Sequence, residues 1–135
     1  MADVYLDVVN DNDEVIGKEK RSVIHQEGLM HREIWVLFYT QDNNVILQMR
    51  SPTKDTFPSK LDATVGGHVE LGQSYLQAAL MEVEEEAGIK VKEKDLVPLL
   101  KLRNISFDDV KKVHNNCFRQ IYAYKFSGSA EGSVF

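Results

Sequence analysis

Glu82, Glu85 and Glu86 are spaced i, i+3 and i+4 in a segment rich in Leu, Ala and Glu. On a helix they would converge on one strip of surface, with Glu84 pointing away. Like charges at this spacing destabilise a helix by roughly 0.2–0.5 kcal/mol a pair. The three also fall in the last turns, where the helix dipole disfavours anions. A solvated acidic face is the plain alternative, but it leaves both penalties unexplained. A divalent cation would offset them. All-oxygen donors select a hard ion, Mg²⁺ or Mn²⁺, of the kind that bridges to substrate phosphates. Just upstream, the Gly66-Gly67 pair allows either a turn with positive φ or a close backbone approach to a ligand or metal.

The elements that must carry these groups can be read from the chain. The spacing predicts one helix over residues 74–87, with Ser74 and Gln77 as a capping box and Gly88 as a left-handed C-terminal cap. Leu76, Ala79, Leu80, Val83 and Ala87 form its core stripe. Residues 4–9 and 15–17 flank a turn cluster, and residues 34–39 and 45–49 flank a second one, which predicts two hairpins. The run 34–39 is apolar on both faces and reads as a central strand. Residues 51–60 hold two prolines and read as a loop. A short strand over 63–65 ends at the glycine pair, and residues 96–102 and 117–126 give two more strands. The polar stretch 104–116, including Asp108, Asp109 and His114, reads as surface connection. Many strands around one helix make an α+β domain, not a doubly wound one.

Composition narrows the functional classes. The 135 residues, 43% of them hydrophobic, fit a single domain able to bury its own core. No apolar run approaches the ~20 residues of a membrane span, and no basic-then-apolar leader opens the chain. The single Cys117 excludes an intrachain disulfide and suits a reducing, cytoplasmic setting. A net charge of −5 argues against a nucleic-acid partner.

The segment from Gly67 through Gln73 to Met81-Glu82-Val83-Glu84-Glu85-Glu86-Ala87-Gly88-Ile89 resembles the Nudix box, Gly-x5-Glu-x7-Arg-Glu-U-x-Glu-Glu-x-Gly-U, where U is aliphatic. Gly67, Glu82, Val83, Glu85, Glu86, Gly88 and Ile89 match; Gln73 and Met81 replace the first Glu and the Arg, a joint change that fits a substituted supporting pair. The resemblance implies a Nudix fold over residues 1–135, with a mixed sheet packed by the catalytic helix in an α/β/α sandwich. It implies Mg²⁺ held by Glu82, Glu85 and Glu86, with the Gly67 carbonyl a further ligand, and Glu85 or Glu86 as general base.

Further segments, among them Leu47-Gln48-Met49-Arg50 and Leu61 through His68, resemble the Nudix subgroup related to isopentenyl-diphosphate isomerase. That resemblance makes Arg21, Arg50 and Lys54 candidates for holding the substrate diphosphate. Phe57 is a candidate contact for its organic part. His25, His31 and His68 become candidates for a second metal site, although its partner carboxylates are replaced by Asn here. The isomerase's Cys falls at Gly66, and its catalytic Glu falls near Asn116-Cys117, so neither acid–base group is present. The expected activity is therefore Mg²⁺-dependent hydrolysis of a small-molecule organic diphosphate, nucleoside-linked or other. An isomerase-like activity and a non-catalytic ligand-binding domain are the alternatives. Relatives usually continue past residue 126 with another strand and a helix, where this chain has a small-residue tail. That predicts a shortened fold with one side of the sheet thinly covered, which a homodimer would cover.

Overall fold

The structure is a computed structural model that describes residues 4–49 and 61–127; of Met49, Leu61 and Asp62 it describes the backbone alone. The elements in chain order are β1 (Tyr5–Val9), β2 (Val15–Lys20), α1 (Arg21–Glu27), β3 (His31–Tyr39), β4 (Val45–Ile46) and β5 (Gln48–Met49). After the gap come β6 (Leu61–Asp62), β7 (Val65–His68), α2 (Tyr75–Ala87), a 3-10 turn (Glu93–Asp95), β8 (Val97–Asn104), β9 (Phe107–Asp108), β10 (Val113–His114) and β11 (Cys117–Lys125).

β3 is the central strand expected from its two-sided apolar pattern. β11 runs parallel along one edge of it, and β8 pairs antiparallel with β11. The other edge of β3 is shared: β7 pairs with Glu33–Val36 and β4 with Phe38–Tyr39. The sheet is therefore mixed, as an α+β fold requires. Alternation along β3 sends Ile34, Val36 and Phe38 to one face, where they are buried with Val65, Val69, Ala78, Ala79, Val83, Leu96 and Tyr122. Helix α2 packs on that face. The expected stripe is right at Ala79 and Val83, and Leu76, Leu80 and Ala87 sit at its margin; Ala78 is also buried, one position round from the stripe.

Both predicted signals for α2 are present. The Ser74 hydroxyl accepts from the Gln77 amide and the Gln77 side chain accepts from the Ser74 amide. Gly88 adopts φ 72° and bonds back to Glu84. Helix α1 was not expected. Its N-cap, Lys20, makes no side-chain cap bond, so the usual start signal is missing, although Gly28 at φ 73° ends it in the ordinary way.

The remaining differences are local. β2 runs on to Lys20, and the 45–49 strand divides, with β5 turning away to pair with β6. The connection 104–116 contains the β9–β10 hairpin, and Asp108 in it is buried, not surface-exposed. Its carboxylate accepts from the amides of Val110 and Lys111, which a tight turn leaves without other partners. The proline-containing segment 51–60 and the tail 128–135 lie outside the described residues.

The β1–β2 hairpin is fastened by its turn. Asp13, at φ 60°, takes hydrogen bonds from Arg32 (2.8 Å), Tyr75 (2.7 Å) and Lys101 (2.7 Å). One turn residue thus joins β3, the start of α2 and β8. Among the described residues, no helix is long and apolar enough to cross a membrane.

Candidate active site

The glycine pair lies inside β7, where a strand ending before it was expected, and neither glycine has positive φ. Of the two alternatives, close approach is the one realised. Gly67 stands opposite Ile34 and so faces α2, whereas Gly66 stands opposite Trp35 and faces the other way. A Cβ at position 67 would lie 2.6 Å from Cδ of Glu82, a separation real Cβ atoms do not show. The bare backbone is what lets the Glu82 carboxylate lie against the strand.

Glu86, one turn on, reaches the same strand. It accepts from the Gly66 amide at 3.3 Å and from the Gln48 side chain at 3.4 Å, and Gln48 is tied in turn to the Thr64 carbonyl at 3.0 Å. Glu85 is exposed, and Glu84 points to solvent beside Lys90. Burial, then the Glu86 carboxylate beside it, then the charges of Glu85 and Glu70, push the Glu82 carboxyl up to about 8. Burial and neighbouring carboxylates both act in that direction. The three box glutamates do not draw their oxygens into one tight group among the described residues. Mutual repulsion is sufficient reason for Glu85 to stay out in water. The oxygen-only donors and the cradle at Gly67 fit a hard divalent ion, for which Glu82, Glu85, Glu86 and the Gly67 carbonyl are the candidate ligands.

The two departures from the box pattern meet each other. The Gln73 side-chain amide lies 3.4 Å from the Met81 sulfur, and its oxygen accepts from the Glu70 amide. A neutral contact thus occupies the place of an ion pair, beside the carboxylates and not among them.

The second cluster sits on the opposite face of the sheet. His25 from α1, His31 from β3 and His68 from β7 bring their ligand nitrogens within 4.8 Å of one another, as do His31, Glu33 and Cys117 with their own donor atoms. His25 Nε2 and His68 Nε2 are 3.3 Å apart. His31 Nδ1 lies 3.3 Å from the Leu29 carbonyl, which orients the ring. Its Nε2 is buried with no hydrogen-bond partner, 3.6 Å from Glu33. Glu33 is also 3.8 Å from His68 and takes two bonds, at 3.0 and 3.2 Å, from Arg119. Burial alone would raise the Glu33 carboxyl; His31, His68 and Arg119 outweigh it and hold it well below the usual carboxylate range. Burial pushes His68 down to about 3 against the pull of Glu33, helped by the charges of His31, Arg21 and His25. Arg21, at the start of α1, thus stands near the histidines. Arg50, Lys54 and Phe57 lie outside the described residues.

Glu33, Arg119, Trp35 and Gln48 were not singled out in the sequence. The available signal was charge at strand positions: Glu33 adjoins the apolar run of β3 and Arg119 lies within β11, and the two ladder positions are paired.

The NUDIX domain family model matches residues 29–134. An uncharacterised Nudix hydrolase of Streptomyces coelicolor is 42% identical over 87 residues, covering 64% of this chain and 48% of that protein. The Nudix hydrolase YfcD of Escherichia coli is 36% identical over 85 residues, covering 63% and 47%. The chain therefore spans about half the length of the curated relatives it matches. The crystal structure of DR0079 from Deinococcus radiodurans superimposes with a TM-score of 0.73 at 26% identity, over 97% of this chain and 75% of that one.

Proposed function

The chain belongs to the Nudix family, and from that premise we propose that it is a Mg²⁺-dependent pyrophosphohydrolase acting on a small-molecule organic diphosphate. The observation that carries this reading is the pair Glu82 and Glu86, pressed onto β7 at Gly67 and Gly66 with the Glu82 carboxyl pushed up to about 8. Bound Mg²⁺ supplies charge stabilisation at the phosphoryl oxygens and acidifies a water. Gly66 and Gln48 hold the Glu86 carboxylate in place, and Gly67 leaves room for Glu82. Glu85 or Glu86 takes the proton of the attacking water. Carboxylates alone would repel a diphosphate, so Arg21, Arg50 and Lys54 are assigned to hold it. Glu86→Gln and Glu85→Gln should each abolish most phosphate release from a broad panel of organic diphosphates assayed with Mg²⁺ and Mn²⁺. Unchanged turnover in both variants would overturn the assignment.

The likeness to the isomerase branch extends to the histidines but not to its acid–base chemistry. A Cβ at position 66 would meet Trp35 Cδ1 at 3.2 Å, so a cysteine there would have to shift the indole by a few tenths of an ångström. Asn116 is spent on the Gly28 carbonyl, and burial pushes the Cys117 thiol far up, away from thiolate chemistry. Incubation with isopentenyl diphosphate should therefore yield no dimethylallyl isomer.

One observation favours a second metal site at His25, His31 and His68: the Nε2 of His31 is buried without a hydrogen-bond partner, 3.6 Å from the Glu33 carboxylate. A bound cation would satisfy both. Zinc or manganese titration followed by metal analysis of wild type and His31→Gln tests this, with stoichiometric uptake lost in the variant as the expected result.

A further inference from the structure

Gly66 has two sides, and the catalytic reading uses one. Its amide points to Glu86, while its bare Cα lies under the edge of the Trp35 indole, near Cδ1 and Nε1. Trp35 is half-buried on the sheet face turned away from α2, and its N–H makes no hydrogen bond among the described residues. It is also fixed. Arg119 stacks on its ring at 4.1 Å, and the guanidinium is itself held by the paired bonds to Glu33. A held indole donor thus stands against the Cα of the residue whose amide binds the carboxylate that would handle the diphosphate.

We propose that Trp35, backed by Arg119, is the contact that selects the organic half of the substrate, and that it takes a half bearing hydrogen-bond acceptors beside the diphosphate, as a nucleoside or sugar does, in preference to a hydrocarbon. The inference rests on the diphosphate being bound at the box glutamates. An indole N–H is a donor and nothing else. A nucleoside or sugar laid across Gly66 offers it an oxygen or ring nitrogen. An isoprenyl chain in the same place would cover the N–H without pairing it, and an unpaired buried donor is costly. Because the ring is held beforehand, little ordering opposes the contact.

Trp35 is the protein's single tryptophan, so its fluorescence reports on this position alone. Four non-hydrolysable ligands would be titrated with Mg²⁺ present: α,β-methylene-ADP, a sugar methylenediphosphonate, the methylenediphosphonate of isopentenol, and methylenediphosphonate itself. The first two distinguish nucleoside from sugar, and at least one should change the emission saturably. The bare diphosphonate should leave emission unaltered, and the isopentenyl compound should bind at least about tenfold more weakly. Trp35→Phe, followed by calorimetry, should weaken the preferred ligand about five- to a hundredfold and leave the bare diphosphonate unaffected. Equal affinity for the isopentenyl and acceptor-bearing ligands, or no effect of Trp35→Phe on their ratio, would overturn the proposal. The catalytic reading fails separately, through undiminished hydrolysis in Glu86→Gln, a readout that does not involve Trp35.

Discussion

The two faces of one short strand bear opposite kinds of chemistry. Toward α2, Gly67 and Gly66 receive Glu82 and Glu86, oxygen donors from consecutive turns of one helix. On the other side stand His25, His31, His68, Glu33, Arg119 and Trp35, gathered from four elements. The acidic side gathers carboxylates that push one another's protonation up, whereas the other side is largely paired already, with the Nε2 of His31 and the N–H of Trp35 its open points among the described residues. One face sets like charges together; the other sets opposite charges together.

Substitutions that separate the faces should follow that difference. The largest effect is expected on turnover: Glu86→Gln should lower it by about a hundredfold or more, with little change in thermal stability, as read by phosphate release and a melting curve. Breaking the opposite face should do the reverse in kind. Arg119→Met strands the buried Glu33 carboxylate and should cost about 3–5 kcal/mol in urea unfolding. If that variant melted like wild type, Glu33 would not be relying on it. Next comes the glycine pair. Gly67→Ala drives a methyl into the carboxylate end of Glu82, a flexible side chain that can swing off the strand, so it should cost little stability and lose the Mg²⁺ response. Gly66→Ala meets the edge of the held indole at 3.2 Å and should cost more stability, about 1 kcal/mol. Equal penalties would remove the asymmetry.

The smallest effect is on pH dependence, where the faces have opposite signs. The Glu82 carboxyl is raised from 4.5 to about 8, so the folded state holds its proton while the unfolded chain loses it. Without metal, stability should fall as pH rises from about 4.5 to 8. His68 is lowered from 6.5 to about 3, so the unfolded chain takes the proton first, and stability should fall as pH drops below about 6.5. Melting curves in EDTA should lose the alkaline limb in Glu82→Gln and part of the acid limb in His68→Gln.

The acidic face was legible in the sequence because it is local. Capping residues, apolar period and carboxylate spacing of α2 all lie within residues 67–89, and a helix converts spacing directly into direction. Gly67 was legible only as an alternative, since a bare Cα can serve a turn or a close approach. The opposite face needed tertiary pairing: Glu33 meets Arg119 because β3 and β11 run parallel in one register, and no local pattern states that register. The histidines were reached by resemblance, and their neighbour Glu33 was not reached at all. Helix α1 escaped notice because its first turn lacks a capping side chain.

The Asp13 clasp has a kinetic consequence. Its partners lie 19, 62 and 88 residues along the chain, at Arg32, Tyr75 and Lys101. Closing such long loops rewards the chain only after most of the sheet and α2 exist. The clasp should therefore form after the folding barrier. Its loss in Asp13→Ala would leave the folding rate nearly unchanged and appear as faster unfolding. A residue at the tip of the first hairpin would then govern how long the native state lasts and have little say in how soon it is reached.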